Sequence, residues 1–246
     1  MTEEPYRWLE AVANRREYVR EQLRGGSPVF AVSLPDGILL LAIGSGQSKV
    51  FEIFDRHALT GLGHPADIEK IRQFAIDTAH TEAFTRAPED VSLRRLVSFG
   101  LGPQLKTNFE QIFTAPYLVE VILTELDNDP ANDLLVRVHF EGGFRFQHGG
   151  VMVAASQPGP ETEAQAWLVK ALTGVTDRAL IIEILLQAWW CLVESKSFGE
   201  GLPDEAARRA GWRGAIHERV VEMGWLSRSS SRTARYEPLV LPKDAL

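Results

Sequence analysis

The side chains in this chain of 246 residues that could carry catalysis or bind metals form no recognisable motif. Cys191, the single cysteine, lies in the apolar run 179–193 beside two tryptophans, where a buried and inert thiol is expected. His64 precedes Pro65, as a helix-start residue does, and the glycine loop Gly44–Gly46 lacks the Lys-Ser or Lys-Thr ending of a phosphate-binding loop. The six histidines show no metal-ligand spacing and are His57, His64, His80, His139, His148 and His217. The sequence therefore predicts no cofactor and no metal site.

The overall charge and composition exclude several classes of partner. A formal net charge of −7 argues against nucleic acid, because binding a phosphate backbone needs a surplus of basic residues. The longest apolar run, Ala179–Val193, is too short to span a bilayer and contains Glu183 and Gln187. The first residues lack the basic and apolar regions of a signal peptide, and one cysteine cannot form an internal disulfide. We expect a cytoplasmic protein with no membrane partner, folded as one domain over residues 1–246.

The stretch Ser27–Gly63 predicts four strands in succession. Its first two apolar runs flank Pro35-Asp36-Gly37, in which proline presets φ and glycine accepts a positive φ, so the chain should turn back as a hairpin. The predicted strands are Val29–Leu34, Ile38–Ile43, Lys49–Phe54 and Ala58–Gly63, with Asp55–His57 as the turn between the last two. The pattern alone is also compatible with any other antiparallel sheet.

Helical spacing predicts a helix over Pro5–Leu23 that Gly25-Gly26 ends. Two helices are predicted after the strands, over His64–Phe84 and over Pro88–Ile112. The second of these should kink at Gly102-Pro103. A meander of strands follows, over Tyr117–Leu126, Leu134–Phe140, Phe144–His148 and Val151–Ala155, with Arg137 and His139 pointing outward. Two more helices are predicted over Glu161–Leu172 and Asp177–Glu194, the second capped by Thr176. Ser197–Gly214 is expected to be a loop, and Ala215–Met223 and Arg235–Leu241 the last two strands.

This order of elements resembles the proteasome subunits from about Trp8 to about Tyr236. The resemblance rests on the strand, Asp-Gly turn, strand, Lys-Val-Phe-Glu-Ile strand, small-residue strand at Ala58–Gly63, and long helix. It implies an α+β fold, a four-layer αββα sandwich of two antiparallel sheets between helix layers, which is the N-terminal-nucleophile hydrolase fold. The helix at residues 5–24 occupies the place of the extra helix of α-type subunits, although it could also be an ordinary helix docked on its own domain.

The resemblance also indicates where catalytic residues would lie. Matched strand to strand, the nucleophile position is Ser27, the lysine position is Lys49 and the acidic position is Ile43, so the acid is absent. We therefore expect no catalytic residue. The alternative is self-cleavage between Gly26 and Ser27, which would expose a serine amine able to act as base, with Lys49 assisting; a glycine stop between helix and strand needs no such chemistry.

The function implied by the resemblance is that of a bacterial α-type subunit without catalytic activity. Such subunits form seven-membered rings that stack on β-type subunits and admit unfolded protein substrates to a proteolytic chamber, in some cases with an ATPase activator. Only Met1–Glu4 precede Pro5, so the longer tail with a Tyr-Asp-Arg gate element found in archaeal α-type subunits is not matched. A self-compartmentalising hydrolase processed at Gly26-Ser27, and a scaffold ring of another order with no β partner, are the other hypotheses.

Overall fold

The computed structural model describes residues 4–240, with side chains from residue 7 onward, and contains two five-stranded antiparallel sheets. The strands are β1 Val29–Leu34, β2 Gly37–Gly44, β3 Val50–Phe54, β4 His57–Gly63, β5 Val119–Glu125, β6 Leu134–Val138, β7 Phe144–His148, β8 Val151–Ala154, β9 Val220–Ser227 and β10 Tyr236–Leu239. The first sheet has the order β10-β9-β2-β1-β8, and the second has the order β3-β4-β5-β6-β7. Met1 to Glu3, and the last predicted residue of the final strand, Leu241, lie outside the described residues.

Helices cover the outer face of each sheet and one end of the core between the sheets. They are α1 Glu4–Leu23, α2 Pro65–Thr85, α3 Leu93–Arg95, a π-helical turn Leu96–Leu101, α4 Gly102–Glu110, α5 Pro158–Ala171, α6 Arg178–Val193 and α7 Glu205–Ala215. The helices α2 to α4 pack on the second sheet, and α5 to α7 pack on the first. A third core lies between the sheets and is lined by small and branched residues, including Val29, Ala31, Ile38, Leu40, Val50, Ala58, Leu62 and Ile122. The predicted four-layer sandwich is confirmed.

The first hairpin forms as the sequence predicts. Val29 pairs with Ala42 and Leu34 with Gly37, so Pro35-Asp36 is the turn. A side chain at Gly37 would overlap the Leu226 carbonyl and the Trp225 ring of β9, the strand that pairs with β2. The hairpin is confirmed, but Gly37 does not have the positive φ that the sequence predicts for the turn. Glycine is required at this position by the neighbouring strand.

The prediction of a loop over Ser197–Gly214 is wrong for its second half. Glu205–Ala215 is helical, and the Asp204 side chain caps it by accepting a hydrogen bond of 2.7 Å from the Ala207 amide. The helix is polar on most sides and buries chiefly Trp212, and Gly211 lets the Trp190 ring of α6 approach its backbone. Gly211 is thus a packing position, whereas a side chain at Gly214 would meet nothing within 4 Å. The next strand begins only at Val220 instead of Ala215.

Two assignments near the second helix layer also need correction. β8 does not extend the meander of the second sheet, because it pairs with β1 in the first sheet, Val29 opposite Ala154. The cap of α6 is Asp177, and not Thr176, because the Asp177 carboxylate accepts a hydrogen bond of 3.0 Å from the Ala179 amide.

Two predictions for the helices on the second sheet are confirmed. His64 starts a helix, since its ring accepts a hydrogen bond of 3.3 Å from the Ala66 amide. The kink predicted at Gly102-Pro103 coincides with the junction between the π-helical turn and α4.

Arg137 was predicted to point outward and instead is 5% exposed. Its guanidinium forms ion pairs with Glu120 on β5 and Glu161 in the first turn of α5. Burial alone would raise the pKa of Glu120, but the hydrogen bond from His139 and the charge of Arg137 together lower it below its ordinary value. His139 is partly exposed and lies 3.5 Å from Glu120. The prediction for Arg137 is wrong because its face of β6 is turned toward the first sheet, where the chain after β8 and the first turn of α5 cover it.

Candidate active site

The position matched to a nucleophile, Ser27, lies between the end of α1 and the start of β1. The chain leaves α1 through Gly25 and Gly26, and the Gly26 amide donates to the Leu23 carbonyl at 2.7 Å. A side chain at Gly26 would lie 2.8 Å from that carbonyl oxygen and 3.0 Å from Leu62 of the second sheet. Gly26 is therefore required for close packing, independently of any cleavage chemistry.

The Ser27 hydroxyl is engaged by a buried tryptophan. Trp189 of α6 donates its indole N–H to Ser27 Oγ at 2.8 Å, and Trp189 itself is fully buried. Ser27 is 9% exposed and borders a small pocket of about 160 Å³ that also contacts Gly26, Ala155 and Leu192. In the full-length chain the nitrogen of Ser27 is a peptide nitrogen, so the residue has no α-amine to act as its base.

Lys49 lies at the same end of the first sheet and contacts different groups. Its Nζ donates to the Ile43 carbonyl at 3.4 Å, and its backbone amide donates to Glu222 Oε2 of β9 at 2.6 Å. Burial lowers the pKa of Lys49 below its ordinary value, Glu222 opposes the shift and Arg219 adds to it. Ile43 thus offers a carbonyl where the matched fold has a carboxylate, and Glu222 supplies the negative charge from another strand.

Sequence reasoning missed both Glu222 and Arg219. Glu222 interrupts an otherwise apolar strand, which is a signal for a buried or paired carboxylate, but its partner depends on β9 lying beside β2. Arg219 precedes that strand and stacks over the Trp189 ring at 5.4 Å from its centre. Among the described residues no hydrogen bond joins Ser27 to Lys49: the serine hydroxyl contacts the core beneath α6, and the lysine amine contacts the end of β2.

The helix α1 covers this end of the sandwich. Val19 and Leu23 are buried in the core between the two sheets, at 0% and 2% exposure. The helix is fixed by Arg15, whose guanidinium donates to the carbonyls of Thr114 at 2.7 Å and Asn108 at 3.1 Å. The end of the sandwich next to Ser27 is therefore filled by side chains of α1.

The remaining candidates from the sequence do not assemble into a site. Cys191 is buried, and burial raises the pKa of its thiol to about 11, which keeps it protonated at neutral pH. His57 is buried and lies 3.6 Å from Glu125. Over the part of the chain that the structure describes, no cluster of three or more His, Cys, Asp and Glu side chains could hold a metal ion. In the same part, no helix combines the length and the apolar character that crossing a membrane requires.

Comparison with known proteins gives one consistent group of relatives. No family model matches the chain. The chain is 28% identical over 149 residues to the proteasome subunit alpha of Streptomyces coelicolor, an alignment covering 60% of this chain and 58% of the relative. The proteasome subunits alpha of Streptomyces griseus and Pseudarthrobacter chlorophenolicus are 27% and 28% identical over alignments of the same length. The chain is related to bacterial proteasome α subunits.

This relationship agrees with the architecture, because proteasome α subunits share the two-sheet sandwich flanked by helices. The chain spans less than two thirds of the length of these relatives, between 55% and 61% of each. The similarity to proteasome α subunits covers about 60% of this chain and supports the fold described above.

Proposed function

We propose that this chain is a non-catalytic α-type subunit of a 20S-like proteasome core in the cytoplasm. One observation carries the proposal: α1 precedes β1, and its residues Val19 and Leu23 fill the end of the inter-sheet core next to Ser27. A free amine at Ser27 could form only if the chain were cut, and a cut there would separate α1 from the rest of the fold. We take residues 1–246 as one domain with an α-type helix at 5–24.

The contacts of the matched residues support the absence of catalysis. Ser27 Oγ is an acceptor for buried Trp189, and Lys49 Nζ is directed to a backbone carbonyl. The position of the acid is Ile43, which cannot carry charge. The side chains of Ser27 and Lys49 thus have hydrogen-bond partners within the fold.

The proposed assembly is a seven-membered ring of this chain stacked on a ring of β-type proteasome subunits. A cyclic ring places one copy of each N-terminal segment around a central opening, through which unfolded protein substrates would pass to the chamber. An ATPase activator is the expected partner at the outer face.

A second function has one observation in its favour. Lys49, with its pKa lowered by burial, lies at the same end of the first sheet as Ser27. A chain cut between Gly26 and Ser27 would be a self-compartmentalising hydrolase with Ser27 as nucleophile and Lys49 as its neighbour.

Coexpression with a bacterial β-type proteasome subunit distinguishes the two functions. Purification through a tag on this chain should recover the β-type subunit together with peptidase activity. That activity should disappear when the β-type nucleophile is replaced and should persist in Ser27→Ala. Peptidase activity of this chain alone that Ser27→Ala abolishes would overturn the proposal and support the hydrolase.

A further inference from the structure

The two edges of the second sheet are open. β3 ends the sheet on one side and β7 on the other, and each strand is five residues long. An unpaired edge strand presents backbone donors and acceptors to any neighbouring surface. The β8 edge of the first sheet is capped instead, since Gln165 and Glu161 of α5 accept from the amides of Val153 at 3.0 Å and Ala155 at 2.8 Å.

The β3 edge is acidic. Glu52 is exposed and alternates with Phe51, so it shares the face of Val50, which belongs to the inter-sheet core. Among the described residues the carboxylates of Glu52 and Asp55 make no hydrogen bond or ion pair, and burial together with the charge of Asp55 raises the pKa of Glu52. A groove of about 510 Å³ runs along this edge. Arg72 of α2 also borders this groove, 5.3 Å from the centre of the Phe51 ring, but it forms an ion pair with Glu69. The carboxylates of Glu52 and Asp55 are therefore the charges of this edge that have no ion-pair partner among the described residues.

The β7 edge is basic. Arg145 is exposed and stands opposite Arg137 in the ladder, so it lies on the face turned toward the first sheet. Within residues 7–240 Arg145 has no hydrogen-bond or ion-pair partner. Arg94 adds a second cation, 5.0 Å from the centre of the Phe146 ring and 2.9 Å from His148. This edge carries uncompensated positive charge.

Both edges have the same layers, and the exposed charges that face the first sheet are opposite in sign. On the helix side each presents aromatic rings packed on the same core cluster, Phe51 and Phe54 at β3 and Phe146 at β7, where Phe144 lies edge-on to Phe146 at 5.3 Å. On the side facing the first sheet each presents its exposed charge. Aromatic and arginine side chains are the groups most enriched at the centres of protein interfaces.

We propose that the β7 edge of one copy of this chain docks on the β3 edge of the next copy, with Arg145 facing Glu52 and the aromatic rings in contact. The inference rests on the ring assembly proposed above and assigns the surfaces that build it. A contact between two different surfaces is heterologous, and its repetition closes a ring when the rotation between successive copies is a whole fraction of a turn, one seventh in the ring proposed above. Opposite charges fix the register and exclude β3-to-β3 or β7-to-β7 pairing.

Charge reversal at the two positions tests the contact. Native mass spectrometry is applied to the full chain, alone and coexpressed with a bacterial β-type subunit. Glu52→Arg and Arg145→Glu should each weaken assembly at least about tenfold, since each juxtaposes like charges, and the double variant should restore it. Glu200→Arg and Lys170→Glu change the net charge equally at exposed sites away from both edges and should assemble normally. Thermal unfolding of every variant verifies that the fold is intact.

A mixture of the two single variants sharpens the test. Each β7 edge then meets an opposite charge only if the variants alternate, so assembly should return as even-numbered rings or open arcs, because seven alternating copies leave one like-charged contact. A wild-type ring that both single variants preserve would overturn the edge contact and leave the ring proposal intact. A wild-type chain that stays monomeric in both preparations would overturn both.

Discussion

The end of the sandwich beneath α1 and the two lateral edges of the second sheet are built in opposite ways. At the α1 end, apolar side chains fill the space between the sheets, and the hydroxyl of Ser27 has a buried partner in Trp189. At the lateral edges, Glu52 and Arg145 are exposed, and neither has an ion-pair partner among the described residues. Buried polar groups that have hydrogen-bond partners stabilise the fold. Exposed charges without a partner are available to bind an oppositely charged surface of another molecule. The environment of Ser27, the position matched to a nucleophile, is therefore that of a residue that stabilises the fold.

The largest effect is expected from a charge placed under α1. Val19→Asp would bury an unpaired carboxylate in the inter-sheet core and should cost about 5 kcal/mol of unfolding free energy or prevent folding. Tyr18→Asp, at the neighbouring exposed position, is the matched control and should change stability by less than about 0.5 kcal/mol. Equal effects of the two substitutions in chemical denaturation would show that α1 is not packed as described.

The buried ion cluster should give the next largest effect. Arg137→Met leaves Glu120 and Glu161 without their cation and should cost about 3 kcal/mol at pH 7, which Glu120→Gln in the same chain should partly restore. In the wild type the pKa of Glu120 is lowered by folding, so its contribution is present above the ordinary value of 4.5 and is lost as the pH falls below it. In Arg137→Met the unpaired carboxylates are easier to bury when protonated, so the cost of the substitution should shrink as the pH falls. A cost independent of pH in denaturation curves between pH 4 and 7 would contradict this assignment of charges.

A smaller effect is expected at Ser27. Ser27→Ala leaves the buried indole N–H of Trp189 without an acceptor and should cost about 1–3 kcal/mol. Ser156→Ala removes an exposed hydroxyl that donates to the Arg24 carbonyl, and should cost less than about 0.5 kcal/mol. Loss of stability in thermal unfolding, without any change in protomer mass, is the result expected for a structural serine; a change in protomer mass would point to self-cleavage.

The smallest effect on folding should come from the open edges. Glu52→Gln and Arg145→Gln remove exposed charges that have no ion-pair partner among the described residues, so each should change the unfolding free energy of the monomer by less than about 0.5 kcal/mol. Denaturation of a dilute, monomeric sample measures this. A cost above about 1 kcal/mol would mean that the charge has an internal partner and is not reserved for a neighbour.

Much of the fold follows from local sequence patterns, and the exceptions have a common cause. The strands β1 to β4 could be predicted because alternation and the Pro35-Asp36-Gly37 turn act over a few residues. The helix α7 is not predicted from the sequence, because glycines and charged residues favour a loop. In the structure Gly211 lies within this helix, and its lack of a side chain leaves space for the Trp190 ring. The environment of Arg137 was missed because it depends on which strand and helix cover β6.

The positions of the candidate site residues could be predicted from the sequence, but their contacts could not. Ser27 and Lys49 could be located by matching strands, and the absence of an acid at Ile43 is visible in the sequence. The hydrogen bond from Trp189 joins residues 162 positions apart, and Glu222 reaches Lys49 only because β9 pairs with β2. The packing of α6 on the first sheet decides the first contact and the strand order decides the second, and local periodicity encodes neither.

The most direct test of the central claim is native mass spectrometry of the purified protein, alone and with a bacterial β-type subunit, combined with the intact mass of the protomer. The account predicts a full-length protomer in a seven-membered ring or its double. A protomer that has lost Met1–Gly26 would contradict it and would make Ser27 the nucleophile of an active hydrolase.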